Sequence, residues 1–297
     1  LQHGLSPMDA ADALVDADGD GLINLHEFVA GCDPNVCDGT NTALYSFCHS
    51  VDDRIKGVAR KSMNTYLQNA TKAPRNPNCW AYGIDVSSAS PWNSTGGGTR
   101  AGALLSKRHV IFAKHYQIGI GATMRFVGID DVDYERTIVD SRYLVGTDIV
   151  IGLLSSELPD AVTPATILPV DYCHYIGDAK RLPMLMYDYS EHSIITDSNE
   201  LGYRVGSSDG LVPGDPDRHA YFEAVVSGDS GDPKYLITGT TAILTCTLLS
   251  YGTGDSGTGP FVTFYKKRIQ AVMDYLCPGY ELKEFDFSEF RRLDDEE

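Results

Sequence analysis

From Cys79 onward the chain is cut into short apolar runs, and this texture restricts the fold more than any other feature. The runs cover residues 103–105, 109–113, 123–127, 137–139, 149–154, 182–187, 220–226, 235–238 and 242–249, with Gly, Asp, Asn, Ser and Pro between them. Each has the length of a strand and not of a helix. Many short strands with regular turn signals predict an all-β barrel or sandwich. An apolar fraction of 42% over 297 residues supplies a sizeable core. Helical patterning is confined to the flanks. Leu44, Phe47, Val51, Ile55 and Val58 recur at helical spacing within a connector spanning 38–78. Arg54, Lys56, Arg60 and Lys61 fall on the opposite, solvated side, and Pro74-Arg75-Asn76-Pro77-Asn78 breaks the pattern. Residues 261–275 read as a strand running into a C-terminal helix, with Ile269, Val272, Met273 and Leu276 on one face. The acidic stretch 284–297 reads as a loosely held tail.

Ahead of the connector, Ser6-Pro7-Met8-Asp9 has the chemistry of a helix start, with a capping hydroxyl, Pro in the first turn and an acid beside the positive end of the dipole. It leads into Asp16-Ala17-Asp18-Gly19-Asp20-Gly21-Leu22-Ile23-Asn24-Leu25-His26-Glu27. This stretch has the pattern of an EF-hand calcium loop. Asp16, Asp18 and Asp20 stand at positions one, three and five, with Gly21 at the bend. Leu22 offers its carbonyl, Asn24 acts directly or through water, and Glu27 is the bidentate ligand. Carboxylates this close repel one another unless a hard cation neutralises them, so one Ca2+ is expected. Imidazole is a poor calcium ligand, which makes His26 solvent-facing. The segment resembles the single calcium loops of secreted proteins, "D-x-D-G-D-G-L-x-N-x-x-E…G-x-D-P", in which calcium is usually structural.

Chemistry concentrates in Ser227-Gly228-Asp229-Ser230-Gly231-Asp232-Pro233. Glycines on both sides of Ser230 let a tight turn present its hydroxyl and aim backbone N–H groups at a nearby point. Alone, the heptapeptide reads equally well as a polar hairpin turn. Two upstream stretches alter that: residues 105–116, ending Ala113-Lys114-His115-Tyr116, and residues 145–154, containing Thr147-Asp148-Ile149-Val150. Together the three resemble the chymotrypsin/trypsin family of serine endopeptidases, whose "L-I-S-x-x-H-V-L-T-A-A-H", "D-I-A-L-L" and "G-D-S-G-G-P" segments occur in this order. The resemblance covers roughly residues 79–282.

The resemblance implies a mainly β fold of two antiparallel six-stranded barrels with a C-terminal helix, here preceded by a small helical calcium-binding segment over 1–37. It implies His115 as base and acid, Asp148 as its orienting partner, Ser230 as nucleophile, and the N–H groups of Gly228 and Ser230 as the oxyanion hole. His109 matches a non-catalytic histidine of the family, while His49, His174, His192 and His219 have no motif around them and read as surface or structural. Ser250, Tyr251 and Gly252 match a segment that binds substrate backbone. Ala224 stands at the floor of the specificity pocket, and Phe261 near its far wall. With no acid at Ala224, the expected preference is a small or neutral residue before the scissile bond.

Departures from the family pattern are Asp232 in place of a glycine, Tyr116 in place of a half-cystine, and no "I-V-G-G" terminus to pair with Asp229. Asp232, Phe261 and the absent terminus argue for a catalytically degenerate homologue acting as a binding module, and the intact set of Ser230, His115 and Asp148 argues against it. An esterase on the same fold shares the triad. The expected partner is a polypeptide. A net charge of −17 argues against binding nucleic acid, and no apolar run has membrane-spanning length. Cys32, Cys37, Cys48, Cys79, Cys173, Cys246 and Cys277 suggest some disulfides, Cys32–Cys37 being the most local pair. Asn69-Ala70-Thr71 and Asn93-Ser94-Thr95 are glycosylation sequons. The expected location is secreted, periplasmic or extracellular, with a signal peptide already removed.

Overall fold

The computed structural model describes residues 11–36, 41–67, 73–90, 100–201, 207–249 and 257–293. The Ser6–Asp9 helix start, Cys37, both sequons and Ser250, Tyr251 and Gly252 lie outside these residues. The protein is mainly β. Six strands form the first sheet: β1 (Ala89–Ser90), β2 (Gly102–Leu104), β3 (His109–Ala113), β4 (Thr123–Val127), β5 (Asp133–Tyr143) and β6 (Ile149–Leu154). They pair antiparallel in the order β1-β2-β3-β6-β5-β4, and β1 returns beside β4, so the sheet is a nearly closed barrel.

β3 and β6 are buried along their whole length because both of their faces are covered. Side chains alternate across a strand. Val110, Phe112, Val150 and Leu154 fill the barrel with Met124, Phe126 and Ile138. Ile111, Ile149 and Ile151 point outward into a second core shared with Leu185, Tyr187, Tyr235 and Ile237. That shared core joins the barrel to the second sheet.

The second sheet contains β7 (Thr166–Ile167), β8 (Pro183–Tyr187), β9 (Ser193–Glu200), β10 (Ser207–Leu211), β11 (Pro233–Thr238), β12 (Thr241–Thr247), β13 (Thr258–Pro260) and β14 (Lys283–Glu284). Its order is β13-β10-β9-β8-β11-β12-β7-β14. β7 pairs parallel with both β12 and β14, which makes the sheet mixed where an antiparallel six-stranded barrel was expected. The apolar run 220–226 forms no strand. Its Tyr221 and Val225 are buried as single anchors of an irregular loop.

The connector is helical only in its first half. Its helix α2 (Ala43–Ile55) is capped by Thr42 Oγ1, which accepts from the Tyr45 N–H at 3.1 Å. It ends before Gly57, which takes φ 65°, so Val58 falls beyond it and is exposed. Leu44, Phe47, Val51 and Ile55 are buried as expected, and Cys48 is buried beside them. The basic residues do more than meet solvent. Arg54 donates to the Ser50 and Tyr82 carbonyls and Arg60 to the Ala220 carbonyl, tying the connector to the β domain. The tightest tie is Arg218, in the short helix α4 (Pro216–His219), which follows the equally short α3 (Cys173–Ile176) along the chain. It grips Asp52 of α2 at 2.8 and 2.6 Å and Asp197 of β9 at 3.2 Å.

The C-terminal helix α5 (Val262–Leu276) buries Ile269 and Met273. The segment beyond it is held down through residue 293, contrary to a loose tail. Phe285, Phe287, Phe290 and Leu293, set among the acids, pack against the core that includes Leu44 and Phe47. No disulfide joins any two of the described cysteines. No helix among the described residues is long and apolar enough to cross a membrane.

Candidate active site

The register of β3 on β6 builds half of the site. Ala113 pairs with Ile149, so the next positions outward, Lys114 and Asp148, face each other, and the Lys114 N–H donates to the Asp148 carbonyl at 2.8 Å. One residue further, His115 reaches the Asp148 side chain twice. Its backbone N–H donates to Oδ1 at 2.9 Å and its ring Nδ1 lies 2.7 Å from Oδ2. A carboxylate only accepts, so Nδ1 carries the proton and Nε2 presents a lone pair. Ser230 Oγ stands 2.8 Å from Nε2. Three side chains from both sheets therefore form one hydrogen-bonded chain, Asp148 to His115 to Ser230.

Ser230 is delivered by the turn leading into β11. The Gly231 N–H donates to the Leu248 carbonyl and the Leu248 N–H to the Asp232 carbonyl, which lash the turn to the end of β12. Gly231 has φ 95°, and a Cβ there would sit 2.8 Å from the Ala101 carbonyl oxygen of the first barrel. Only glycine lets the nucleophile turn close on the barrel that carries His115. Gly228 takes φ 124°. The N–H groups of Asp229, Gly231 and Asp232 donate to carbonyls, whereas that of Ser230 has no protein acceptor among the described residues. Such a donor beside the hydroxyl suits a developing oxyanion.

Asp229 is held by backbone donors. Its Oδ2 accepts from the Val226 N–H at 2.7 Å and its Oδ1 from the Tyr189 N–H at 3.0 Å. This buried carboxylate thus holds two loops against the nucleophile turn. Asp232, also departing from the family pattern, is fully buried, and neither carboxyl oxygen has a hydrogen-bond partner. Burial, reinforced by the charges of Asp229, Asp188 and Glu191, pushes its pKa well above the usual carboxylate range. Burial likewise raises Asp188 to about 6 and Glu191 to about 7. His192, which reads in sequence as a bystander, lies between Glu223 (2.9 Å) and Asp188 (3.3 Å). No sequence signal gathers these groups, which come from two separate loops.

His109 is the structural histidine expected. It is fully buried, its Nδ1 lies 2.8 Å from Ser106 Oγ, and burial lowers its pKa to about 4. Ala224 is exposed. Phe261, expected to wall the pocket, is buried edge-to-face on Tyr172 in the core beneath α2 and does not face an open cleft. On the barrel side of the triad, the Arg100 guanidinium lies over the Tyr116 ring, 4.8 Å from its centroid.

In the N-terminal segment, carboxylate oxygens of Asp16, Asp18 and Asp20 lie within 4.8 Å of one another. Asp16 accepts from the N–H groups of Gly19 and Gly21, wrapping the loop around its own carboxylate. Asp18 Oδ2 and Asp20 Oδ2 are buried without hydrogen-bond partners, and burial raises the Asp20 pKa. Orphaned acceptors converging in this way fit a hard cation. Leu22 is anchored in the core. The Asn24 amide braces the loop, accepting from Ala17 N–H and donating to the Asp12 carbonyl. Glu27 lies fully buried in the first turn of helix α1 (Asn24–Ala30). His26 is not solvent-facing. It is buried, its Nε2 donates to the Lys180 carbonyl at 2.6 Å, and burial lowers its pKa to about 4. The reason is that α1 docks on the β domain through this face. Comparison with protein-family profiles and with curated proteins finds no match for this chain.

Proposed function

We propose that the protein is a serine endopeptidase of the trypsin-like kind, with one structural Ca2+. The single observation that carries this is the hydrogen-bonded chain Asp148–His115–Ser230, with links of 2.7 and 2.8 Å. In this reading Ser230 Oγ attacks the substrate carbonyl as its proton passes to His115 Nε2. Asp148 holds the ring and stabilises the imidazolium. The N–H groups of Ser230 and Gly228 receive the oxyanion. His115 then protonates the leaving amine, and a water activated by the same ring cleaves the acyl-enzyme. The backbone donors to Asp229 support the reading, since they fix its place in the nucleophile turn.

Asp16, Asp18, Asp20, Asn24, Glu27 and the Leu22 carbonyl would hold Ca2+. The ion would neutralise the loop and so fix α1, whose His26 bonds Lys180 of the β domain. One calcium loop of this type suits the millimolar calcium found outside cells, which favours an extracellular location.

A fluorophosphonate probe tests the reading. Labelling of Ser230 that is lost in His115→Ala is the expected result. A folded protein that resists the probe would instead be a binding module. Labelled enzyme that hydrolyses esters but no member of a peptide library would be an esterase.

A further inference from the structure

Arg100 is an unusual cation for so acidic a chain. Carboxylates outnumber Lys and Arg by 41 to 24, yet among the described residues no carboxylate pairs with Arg100 and no oxygen accepts from it. Its Nε is buried without a hydrogen-bond partner. Its guanidinium carbon lies over the face of Tyr116, 4.8 Å from the ring centroid. A guanidinium carries five N–H donors, more than a ring face engages. Two of them on one edge match the two oxygens of a carboxylate.

Its location is equally specific. Tyr116 directly follows His115. The carbonyl of Ala101, the residue after Arg100, lies against Gly231, the residue after Ser230. Arg100 is therefore anchored beside both the base and the nucleophile, on the barrel side of the cleft. The chemistry of the step gives this side a meaning. The leaving amine takes its proton from His115 Nε2, so the part of the substrate beyond the scissile bond exits past the elements flanking His115. The acyl part remains over Ser230 and its N–H donor.

Resting on the hydrolase reading above, we propose that Arg100 is a specificity-determining residue that binds a carboxylate on the leaving-group side of the scissile bond. The source is an Asp or Glu side chain one or two residues beyond the cut, or the chain terminus at that distance. Tyr116 is its positioning partner, holding the guanidinium over its ring.

The test uses quenched peptides that differ only at the first and second positions after the cut, carrying Glu, Gln or Lys, with amidated ends. A further pair ends two residues past the cut as free acid or as amide. Mass spectrometry locates each cut. With the wild-type protein, kcat/KM is expected to favour Glu over Gln by about five- to tenfold, the range from a partly exposed ion pair to a charge-assisted fork, with Lys below Gln. A preference for free acid over amide, without the Glu effect, assigns the site to the terminus. In Arg100→Gln the acid-to-amide ratio falls to about one, and in Arg100→Lys part of it returns. Equal rates for Glu, Gln and Lys together with equal rates for acid and amide, or a ratio unchanged in Arg100→Gln, overturn the assignment. Fluorophosphonate labelling run in parallel separates the two failures. Labelled protein without acid preference refutes only the role of Arg100, whereas absence of both labelling and cleavage refutes the hydrolase and this inference with it. The wild-type series stands even if Arg100→Gln does not fold.

Discussion

Replacing Asp232 with Asn converts the least expected residue of the nucleophile turn into a measurable quantity. The side chain is fully buried and neither oxygen is hydrogen-bonded, so the folded protein holds it as a neutral acid. The unfolded chain ionises it near pH 4. Above that pH the unfolded state has released a proton that the native state still binds, so stability falls as pH rises. One such group contributes about 1.4 kcal/mol per pH unit until its folded pKa is reached. By pH 7 the accumulated loss is about 4 kcal/mol as a ceiling. Asparagine removes this slope and adds amide donors without acceptors, a pH-independent cost of about 1–3 kcal/mol. The variant is therefore expected to be the less stable protein at pH 4.5 and the more stable one at pH 8. Asp188 and Glu191, raised to about 6 and about 7, titrate with the same sign and keep their own slopes in both proteins. Urea unfolding at half-unit pH intervals and fixed calcium reads the difference directly. Parallel stability profiles for the two proteins would refute the claim that Asp232 is buried as a neutral acid.

Gly231→Ala places a methyl 2.8 Å from the Ala101 carbonyl at a φ that disfavours any side chain. The probe-labelling rate of Ser230 is expected to fall about a hundredfold, the cost of a displacement near one ångström, and an unchanged rate would show that the turn does not need this close approach. Asp52→Ala strips the buried Arg218 of its two-point partner. Chemical denaturation is expected to show a loss of about 3–5 kcal/mol, and a loss below about 1 kcal/mol would mean that Asp197 alone suffices. Chelation of calcium is expected to lower the melting temperature by about 5 °C, given a site saturated a hundredfold above its dissociation constant. Asp20→Asn should reproduce that shift, and a melting curve indifferent to chelator would remove the cation from the N-terminal loop.

The strands that carry the site were legible because they are mostly apolar runs of strand length. β3, β4 and β6 have the limits that the sequence pattern predicts, and β6 follows Asp148 directly. Elsewhere the same signal fails for physical reasons. The run 220–226 is apolar because Tyr221 and Val225 are anchors, not because it pairs with a neighbour. Residues 193–200 form β9 although six of the eight are polar, since Asp197 meets the buried Arg218 and Ser198 the Leu182 N–H. The acidic composition of the C-terminal segment conceals three phenylalanines that reach the core. Phe261 and His26 were misplaced because a single residue type does not reveal which way an element docks.

What the sequence determined by itself is local or ordered: a twelve-residue run of oxygen donors, the alternation that builds strands, and the succession of His115, Asp148 and Ser230 along the chain. Each depends on neighbours within a few residues or on simple order. Only the tertiary structure decided that Ser230 meets a ring 115 positions away, that Asp229 finds its donors in two loops, and that Arg100 lies against Tyr116 with no acid partner among the described residues. Those outcomes depend on how two sheets settle against one shared core, and the burial that raises the pKa values of Asp188, Glu191, Asp229 and Asp232 exists only after that packing is complete.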